Sequence, residues 1–488
     1  MRLKKITLKN FRCFEHLEIN LHPRLTVFVG NNGAGKTALL DGIAAGLTPV
    51  LTYLSSANQR LTGRGIKDTD FRIKSREGRG RKELWDVSDY AQVMVDTYDG
   101  IQWDYWRPSG ADGQRPTDKH GEKALKEHLN AIAASYKSET PALTPVMSYY
   151  GASRGHIEVP ERLRAAKQNY DHPAAALVGA LDSMSDFREM LAWFDLEESS
   201  MLRAKRDFDA EEEEEEEDSL ALDSVRAAVV SLLGDTYREP YFNREHKFVL
   251  KRTRDGAPML VNQLSQGYQS MLALAMDFSR RLAIANSYLE YGDEHACNAI
   301  AHATDQLQSL GVDVKKPIPG ALAMSAPAIM LVDEIDLHLH PSWQQRVLGD
   351  LLRTFPLTQF IVTTHSPQVL TSVDASCIRV MSQDEDPETG RQRAVIKPVT
   401  LQTKGVASSD LLAQIMGVDP IPELPEARSL SDFHALIQQN LQEGAEGQAL
   451  RTQLHAHFGA THPVMLDCDR MIRLQAFRQT LPLPKRGD

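Results

Sequence analysis

Cysteine is scarce in this 488-residue chain. The four present, Cys13, Cys297, Cys377 and Cys468, are scattered with no CxxC spacing. That excludes a zinc-ribbon or thioredoxin-type motif and suits a reducing compartment, the cytoplasm. No run approaches 18 consecutive apolar residues, so no membrane-spanning helix and no membrane partner are expected. The opening residues, MRLKKITLKNFRCF, lack the apolar core of a secretory signal. No long heptad repeat is present, which excludes an extended coiled coil. An excess of positive charge is also missing: the formal net charge is −11. Eight of those charges sit in one run, Glu211–Asp218, so the rest of the chain argues neither for nor against nucleic acid. A like-charge block of this kind reads as a solvated loop.

What is there has the composition of a globular protein, 42% hydrophobic and 25% charged. The length suits two or three domain-sized units or one elaborated α/β domain. The organising stretch is Ile329–Pro341, IMLVDEIDLHLHP. Its four leading apolar residues read as a strand buried on both faces of a parallel sheet. Asp333 and Glu334 then fall at the carboxyl end of that strand, where open α/β sheets bind ligands. Carboxylates there suit an Asp333 that holds Mg²⁺ and a Glu334 that orients or deprotonates a water. An acidic first turn of a helix is the plainer alternative.

A second motif removes the ambiguity. The strand-like run Leu25–Val29 leads into Gly30, Asn31, Asn32, Gly33, Ala34, Gly35, Lys36 and Thr37, and Ala38–Leu47 has helical character. This is GxxxxGK[ST] between a strand and a helix, the context a P-loop requires. The glycines let backbone N–H groups curl around phosphate oxygens at a helix N-terminus. Lys36 would reach the β- and γ-phosphates, and the Thr37 hydroxyl would ligate Mg²⁺. The nucleotide-contacting candidates are therefore Asn31, Asn32, Gly33, Ala34, Gly35, Lys36, Thr37 and Ala38, with ATP and Mg²⁺ as expected cofactors.

Two further elements follow in order. Gln263–Ser270 carries LSQG (Leu264, Ser265, Gln266, Gly267) and opens a long helix predicted over Met271–Leu289, a second N-terminal anion site. Gln359–Thr364 reads as another buried strand, and His365 falls just past its end, where an imidazole can contact a γ-phosphate. Between them, Pro341 is placed to start a helix whose Trp343, Val347, Leu351 and Phe355 form one apolar face. The alternation Asp336, His338, His340 invites a metal reading, but a loop explains it better.

Other stretches stay open. Arg60–Lys82 holds nine Lys/Arg against three acids. It could track a nucleic-acid backbone, although a solvated basic surface is the commoner explanation. Tyr149, Tyr150 and Arg154 end a strand-like segment; they read either as a nucleotide-sensing junction or as core tyrosines and a surface arginine. Phe187, Met190, Leu191 and Phe194 recur at helical spacing as a buried stripe. Beyond Gly405 the pattern changes to short amphipathic helices. Val464–Asp469 superficially resembles a strand ending in a DxD metal site, but with too little chain after it to complete such a domain. Asp467 and Asp469 read better as turn or capping residues.

Lys36, Leu264–Gly267, Asp333–Glu334 and His365, in that order, resemble an ABC-type ATPase head. The resemblance is closest to the RecF/SMC/overcoming-lysogenisation-defect group, and ITLKNFRCF, EIDLHLHP and THSP are similar to its non-SMC members. The tail LLAQIMGVDP…HPVMLDCDRMIRLQAF resembles the ATPase subunit of Septu anti-phage systems, and related ATPases accompany retrons. The resemblance implies an α/β P-loop fold with a helical insertion and a small helical C-terminal module. Expected segments are 1–160 and 236–404 for the two ATPase lobes, 161–235 for the insertion with its acidic loop, and 405–488 for a docking module. It further implies head-to-tail homodimers in which Ser265, Gln266 and Gly267 of one copy face the P-loop of the other. Arg12 would lie near the phosphates. A regulatory ATPase controlling an HNH nuclease subunit is implied, with a retron reverse transcriptase as a further partner and nucleic acid reached through the complex. A RecF-like repair ATPase that clamps DNA without a nuclease is the alternative. Two departures stand out: Gln266 replaces the second signature glycine, and the lobe-junction glutamine is open among Gln92, Gln102 and Gln168.

Overall fold

The computed structural model describes the chain except for residues 57–58, 78–82, 112, 156–169, 171, 184–186, 209–218, 386–391 and 481–488. The acidic block and Gln168 therefore lie outside the described residues. The described residues divide into two compact units, Met1–Leu411 and Leu412–Asp488.

The larger unit is layered, as the apolar runs dictate. Leu25–Gly30, Ala328–Val332 and Thr358–Thr364 are buried at every position, because both faces of their sheet are covered. The sheet runs in the order Gln392–Pro398, Ile378–Glu385, Leu25–Gly30, Thr358–Thr364, Ala328–Val332, Val146–Tyr150. All neighbours pair parallel except the outermost two, which form an antiparallel hairpin. Register places Val29 opposite Thr364 and Val332 opposite both Val362 and Tyr150, so these strands end along one edge.

A four-stranded antiparallel sheet forms the second layer, in the order Phe14–Asn20, Leu3–Phe11, Tyr90–Thr97, Gln102–Pro108. Between the sheets lies the helix Lys36–Gly46, buried at every residue except Thr37. Leu39, Leu40 and Ile43 join one apolar cluster with Leu8, Phe11, Val93 and Val95 of the antiparallel sheet and Phe28, Leu331 and Ile361 of the parallel one. Lys36–Leu54 is long and apolar enough to cross a membrane by length and composition, yet 78% of that window is buried inside the protein. Burying a Leu or Ile side chain contributes about 1.5–3 kcal/mol, so this apolarity serves the core.

The helical region contains Phe187–Phe208 and Leu220–Leu233, and Phe187, Met190, Leu191 and Phe194 are buried as the stripe predicts. The long helix spans Gln266–Ala285, starting earlier and ending earlier than the sequence pattern indicates. The predicted single helix after Pro341 is two pieces, Pro341–Gln344 and Val347–Thr354. At the break, Arg346 sits over the Trp343 ring at 4.9 Å.

The smaller unit is helical: Pro425–Gln438, Ala445–Phe458 and Pro463–Thr480 pack on Phe433, Ile437, Leu454, Met465 and Cys468. Val464–Asp469 is thus helix rather than strand. Asp467 and Asp469 are neither turn nor cap; Asp469 pairs with Arg451 at 2.7 Å.

One half-buried acid in the larger unit has a stability consequence. Glu290 lies in the turn Ser287–Tyr291, with its Oε1 buried and without a hydrogen-bond partner among the described residues. Burial, then the charges of Glu197 and Asp223, push its carboxyl from 4.5 up to about 8. Glu197 accepts from Ser219 Oγ at 3.1 Å, and Asp223 faces Arg226 at 3.5 Å. A carboxyl raised in the folded state keeps a proton that the unfolded chain loses. Its contribution is complete below the unfolded value and is lost as pH rises through the folded one. Thermal unfolding should therefore show Tm falling as pH rises from about 5 to about 9. Glu290→Gln should flatten that fall; an unchanged slope would exclude Glu290 as its source.

Candidate nucleotide site

The P-loop, the acidic strand end and His365 meet at one edge of the parallel sheet. Gly35 is the N-cap of the P-loop helix with φ +96°, a backbone that disfavours residues with a Cβ. A Cβ there would stand 2.8 Å from Cys13 Sγ and Phe14 Cζ, so the FRCF turn packs directly against the loop. Lys36 Nζ donates to Gly30 O at 2.7 Å and Asn31 O at 3.0 Å. Burial lowers the Lys36 pKa, against the opposing pull of Asp333, Glu334 and Asp336.

Asp333 is buried, and Thr37 Oγ1 donates to its Oδ2 at 2.7 Å. Thr363 Oγ1 donates to Oδ1 at 2.6 Å, and the Asp333 amide donates to Tyr150 O at 2.8 Å. Glu334 is half-buried with φ +49°. Its amide donates to Thr363 Oγ1 at 2.7 Å. Asp336 accepts from Thr364 Oγ1 at 2.6 Å and from the His365 amide at 3.3 Å, which fixes the backbone of half-buried His365 beside the acidic strand.

The signature segment is placed differently. Ser265 is the N-cap of Gln266–Ala285, but its side chain makes no capping bond and is exposed, as is Gln266. Gly267 is buried: a Cβ there would stand 2.6 Å from His338 O, so only glycine allows this approach to the loop after Glu334.

Arg12, at φ +49°, is held by acids: Nη1 lies 2.7 Å from Asp41 and Nε 2.8 Å from Asp70. Arg64 completes the square, 3.1 Å from Asp41 and 2.7 Å from Asp70. The stretch 60–82 is therefore not wholly a solvated basic surface. Arg64 is an interior ion pair, and Arg72 binds Cys13 O and Glu15. The DxHxH segment forms no metal cluster among the described residues; His340 caps its helix by accepting from the Ser342 amide.

The lobe junction holds the largest departure. Gln92 is buried in the antiparallel sheet, donating to Asp104 and to Asp118 O, and Gln102 pairs with Asp96 on the neighbouring strand. Neither reaches the Asp333 edge. The segment leaving Val146–Tyr150 presents Arg154 there instead. It is buried, and it donates to the carbonyls of Gly151, Asp333 and Glu334. Tyr149 and Tyr150 are core residues, as the sequence suggests, but Arg154 is not at the surface. Its signal was position, four residues past a buried strand; the rarity of fully buried arginine argued against it.

Family comparison agrees with this geometry. An AAA-domain model matches residues 5–230, and a second AAA-domain model matches residues 151–371. Together the two AAA-domain models span residues 5–371, and the two relatives that cover most of this chain are named as ATPases. The fold is α/β, with a P-loop between the strand Leu25–Gly30 of a mostly parallel sheet and the helix Lys36–Gly46. The chain is similar to "Retron Ec83 probable ATPase" of Escherichia coli, 26% identical over 96% of this chain and 86% of that protein. "Retron Vc95 probable ATPase" of Vibrio cholerae serotype O1 biovar El Tor is 24% identical over 78% of this chain and 74% of its own. Septu protein PtuA of Bacillus thuringiensis is 26% identical over 24% of this chain and 28% of its own.

For this ATPase, Lys36→Ala should weaken ATP binding by at least roughly thirtyfold in calorimetry, since it removes the cation that meets the phosphates. Unchanged affinity would contradict the P-loop assignment.

Proposed function

We propose that this chain is the ATP-hydrolysing regulatory subunit of an anti-phage defence complex. The chemistry is carried by one observation, the junction of Thr37 and Asp333. A hydroxyl and a carboxylate from two different motifs stand 2.7 Å apart, an all-oxygen donor set of the hardness Mg²⁺ selects. Thr37 and Asp333 would hold the ion, which when bound neutralises charge on the phosphates. The backbone of Asn31, Asn32, Gly33, Ala34 and Gly35, with Thr37 and Ala38 at the helix N-terminus, cradles phosphate oxygens, and Lys36 supplies the cation. Glu334 orients the attacking water and takes its proton. His365 contacts the γ-phosphate, and Arg12 lies close to the nucleotide phosphates.

The site is completed by a second copy, head to tail. The exposed, non-capping Ser265 hydroxyl, with Gln266 and Gly267, supports this reading, since that helix N-terminus has anion-binding capacity its own chain does not consume. The defence context is supported by the two retron relatives and by the shorter match to a Septu protein. We place an HNH nuclease subunit as the controlled partner, a reverse transcriptase in a retron version, and the assembly in the cytoplasm, with nucleic acid reached through the complex. The chain itself is not read as a nuclease, because Asp467 and Asp469 lie within a helix. The segments 1–160, 161–235, 236–404 and 405–488 serve as first ATPase lobe, insertion, second ATPase lobe and docking module.

Glu334→Gln should lower turnover by at least about 100-fold, keep ATP affinity, and shift the protein to an ATP-dependent dimer in light scattering. Wild-type turnover in that variant would refute the role of Glu334. Affinity isolation from the native host should bring down a small HNH-type protein in stoichiometric amount. Recovery of DNA with no protein partner would favour the repair-type ATPase instead.

A further inference from the structure

We propose that Arg154 is a positioning residue for hydrolysis, holding the Asp333–Glu334 backbone in the conformation that presents the Glu334 carboxylate to water. The inference rests on the reading of Glu334 given above and goes beyond it.

Glu334 adopts φ +49°, a left-handed conformation that residues with a Cβ seldom take and that persists only where the surroundings over-determine it. Three bonds do so here. The Glu334 amide donates to Thr363 Oγ1 at 2.7 Å. Its carbonyl accepts from Arg154 Nη2 at 2.6 Å and from the Leu337 amide at 2.9 Å. Arg154 Nη1 binds the preceding carbonyl, that of Asp333, so one guanidinium spans two successive peptide units.

The choice of partners is telling. Arg154 is 5% exposed, yet its hydrogen bonds to Gly151, Asp333 and Glu334 all go to backbone oxygens. Burial lowers its pKa to about 10, and Asp333, Asp336 and Glu334 offset that only in part. Among the described residues no carboxylate is bonded to it, and a buried cation so placed is costly. What it secures is the path of the chain through the two acids. Arg154 is itself anchored: its amide donates to Gly151 O at 3.2 Å, and the Gly151 amide donates to Ser183 O at 3.0 Å. A Cβ on Gly151 would stand 2.8 Å from Ser183, so the turn has no room to drift.

The test uses full-length Arg154→Met and Arg154→Lys beside Glu334→Gln. Misplacing a catalytic group by about 1 Å costs roughly 100-fold in rate. Arg154→Met should therefore lower kcat by at least about thirtyfold while ATP affinity, measured by calorimetry, stays within about threefold. Arg154→Lys, which can reach one carbonyl, should recover part of the loss. The double variant Arg154→Met/Glu334→Gln should be no slower than Glu334→Gln alone, because Arg154 acts through Glu334. Wild-type kcat in Arg154→Met, with Glu334→Gln inactive, overturns the proposal and leaves the Glu334 reading intact. Normal turnover in Glu334→Gln overturns that reading and the proposal with it. A parallel fall in ATP affinity and kcat, additive losses in the double variant, or failure of both Arg154 variants to fold would show a structural role and overturn the proposal.

Discussion

Every polar group of Asp333 is used, and each by a different part of the chain. The amide donates to Tyr150 at the end of one neighbouring strand, and Oδ1 accepts from Thr363 on the other. Oδ2 accepts from Thr37 at the start of the P-loop helix, and the carbonyl accepts from Arg154 in the turn beyond Tyr150. Bonds to a charged group are worth about 1.5–3 kcal/mol each, and a buried carboxylate left without them would be strongly destabilising. The parallel register makes this possible: one neighbouring strand ends level with Val332 at Tyr150 and the other runs on past Val362 to Thr364, so a single buried residue can be reached from several sides. The site thus depends on the sheet, and the sheet's edge is in turn tied together by the site.

A second buried acid extends the connection to the helix that begins at Ser265. Asp277 accepts from Tyr150 Oη at 2.9 Å and pairs with Arg280 and Arg281, each at 2.8 Å. Burial alone would raise its pKa, but the two arginines outweigh it and bring the carboxyl down to about 2. Arg281 continues to the carbonyls of Ala176 and Val178. Tyr150 therefore meets Asp333 through its backbone and Asp277 through its side chain. One residue, read from sequence as a core tyrosine, stands between the acidic strand end and the middle of the signature helix.

Legibility in the sequence followed the physics of each element. A fully apolar strand ending in charge announces itself, because only a strand covered on both faces can be apolar at every position; Ala328–Val332 is such a case. The P-loop is legible because few residue types can follow its backbone. Arg154 and Arg64 were not legible as interior residues. Burial of arginine is decided by partners far away in sequence, at Asp333 and Glu334 for one and at Asp41 for the other. The break between Gln344 and Val347 was hidden for a similar reason: the i, i+4 apolar pattern runs through it unchanged. Val464–Asp469 misled in the opposite direction. Four apolar or sulfur-bearing residues beside two acids fit a strand locally, but in the smaller unit Met465 and Cys468, three apart, face one helical core.

The start of the signature helix and the loop after Glu334 are packed closely against one another. Gly267 touches His338 O closely enough to exclude a side chain, and His338 itself has φ +62°. Tyr268, the next residue, stacks edge-on against Tyr237 at 4.9 Å and against Trp343 at 4.7 Å, and its hydroxyl meets Thr236 Oγ1 at 3.0 Å. Aromatic pairs of this geometry contribute about 0.5–1.5 kcal/mol each beyond the area they bury. Trp343 lies on the short helix that Pro341 opens, directly after the loop carrying Asp336 and His338. Contacts from the helix that Ser265 opens thus lead into the segment that follows the acidic pair, whereas Glu334 is held from the other side by Thr363 and Arg154. Glu334 thus sits between one set of contacts that belongs to the nucleotide edge of its own chain and another that leads to the exposed signature motif.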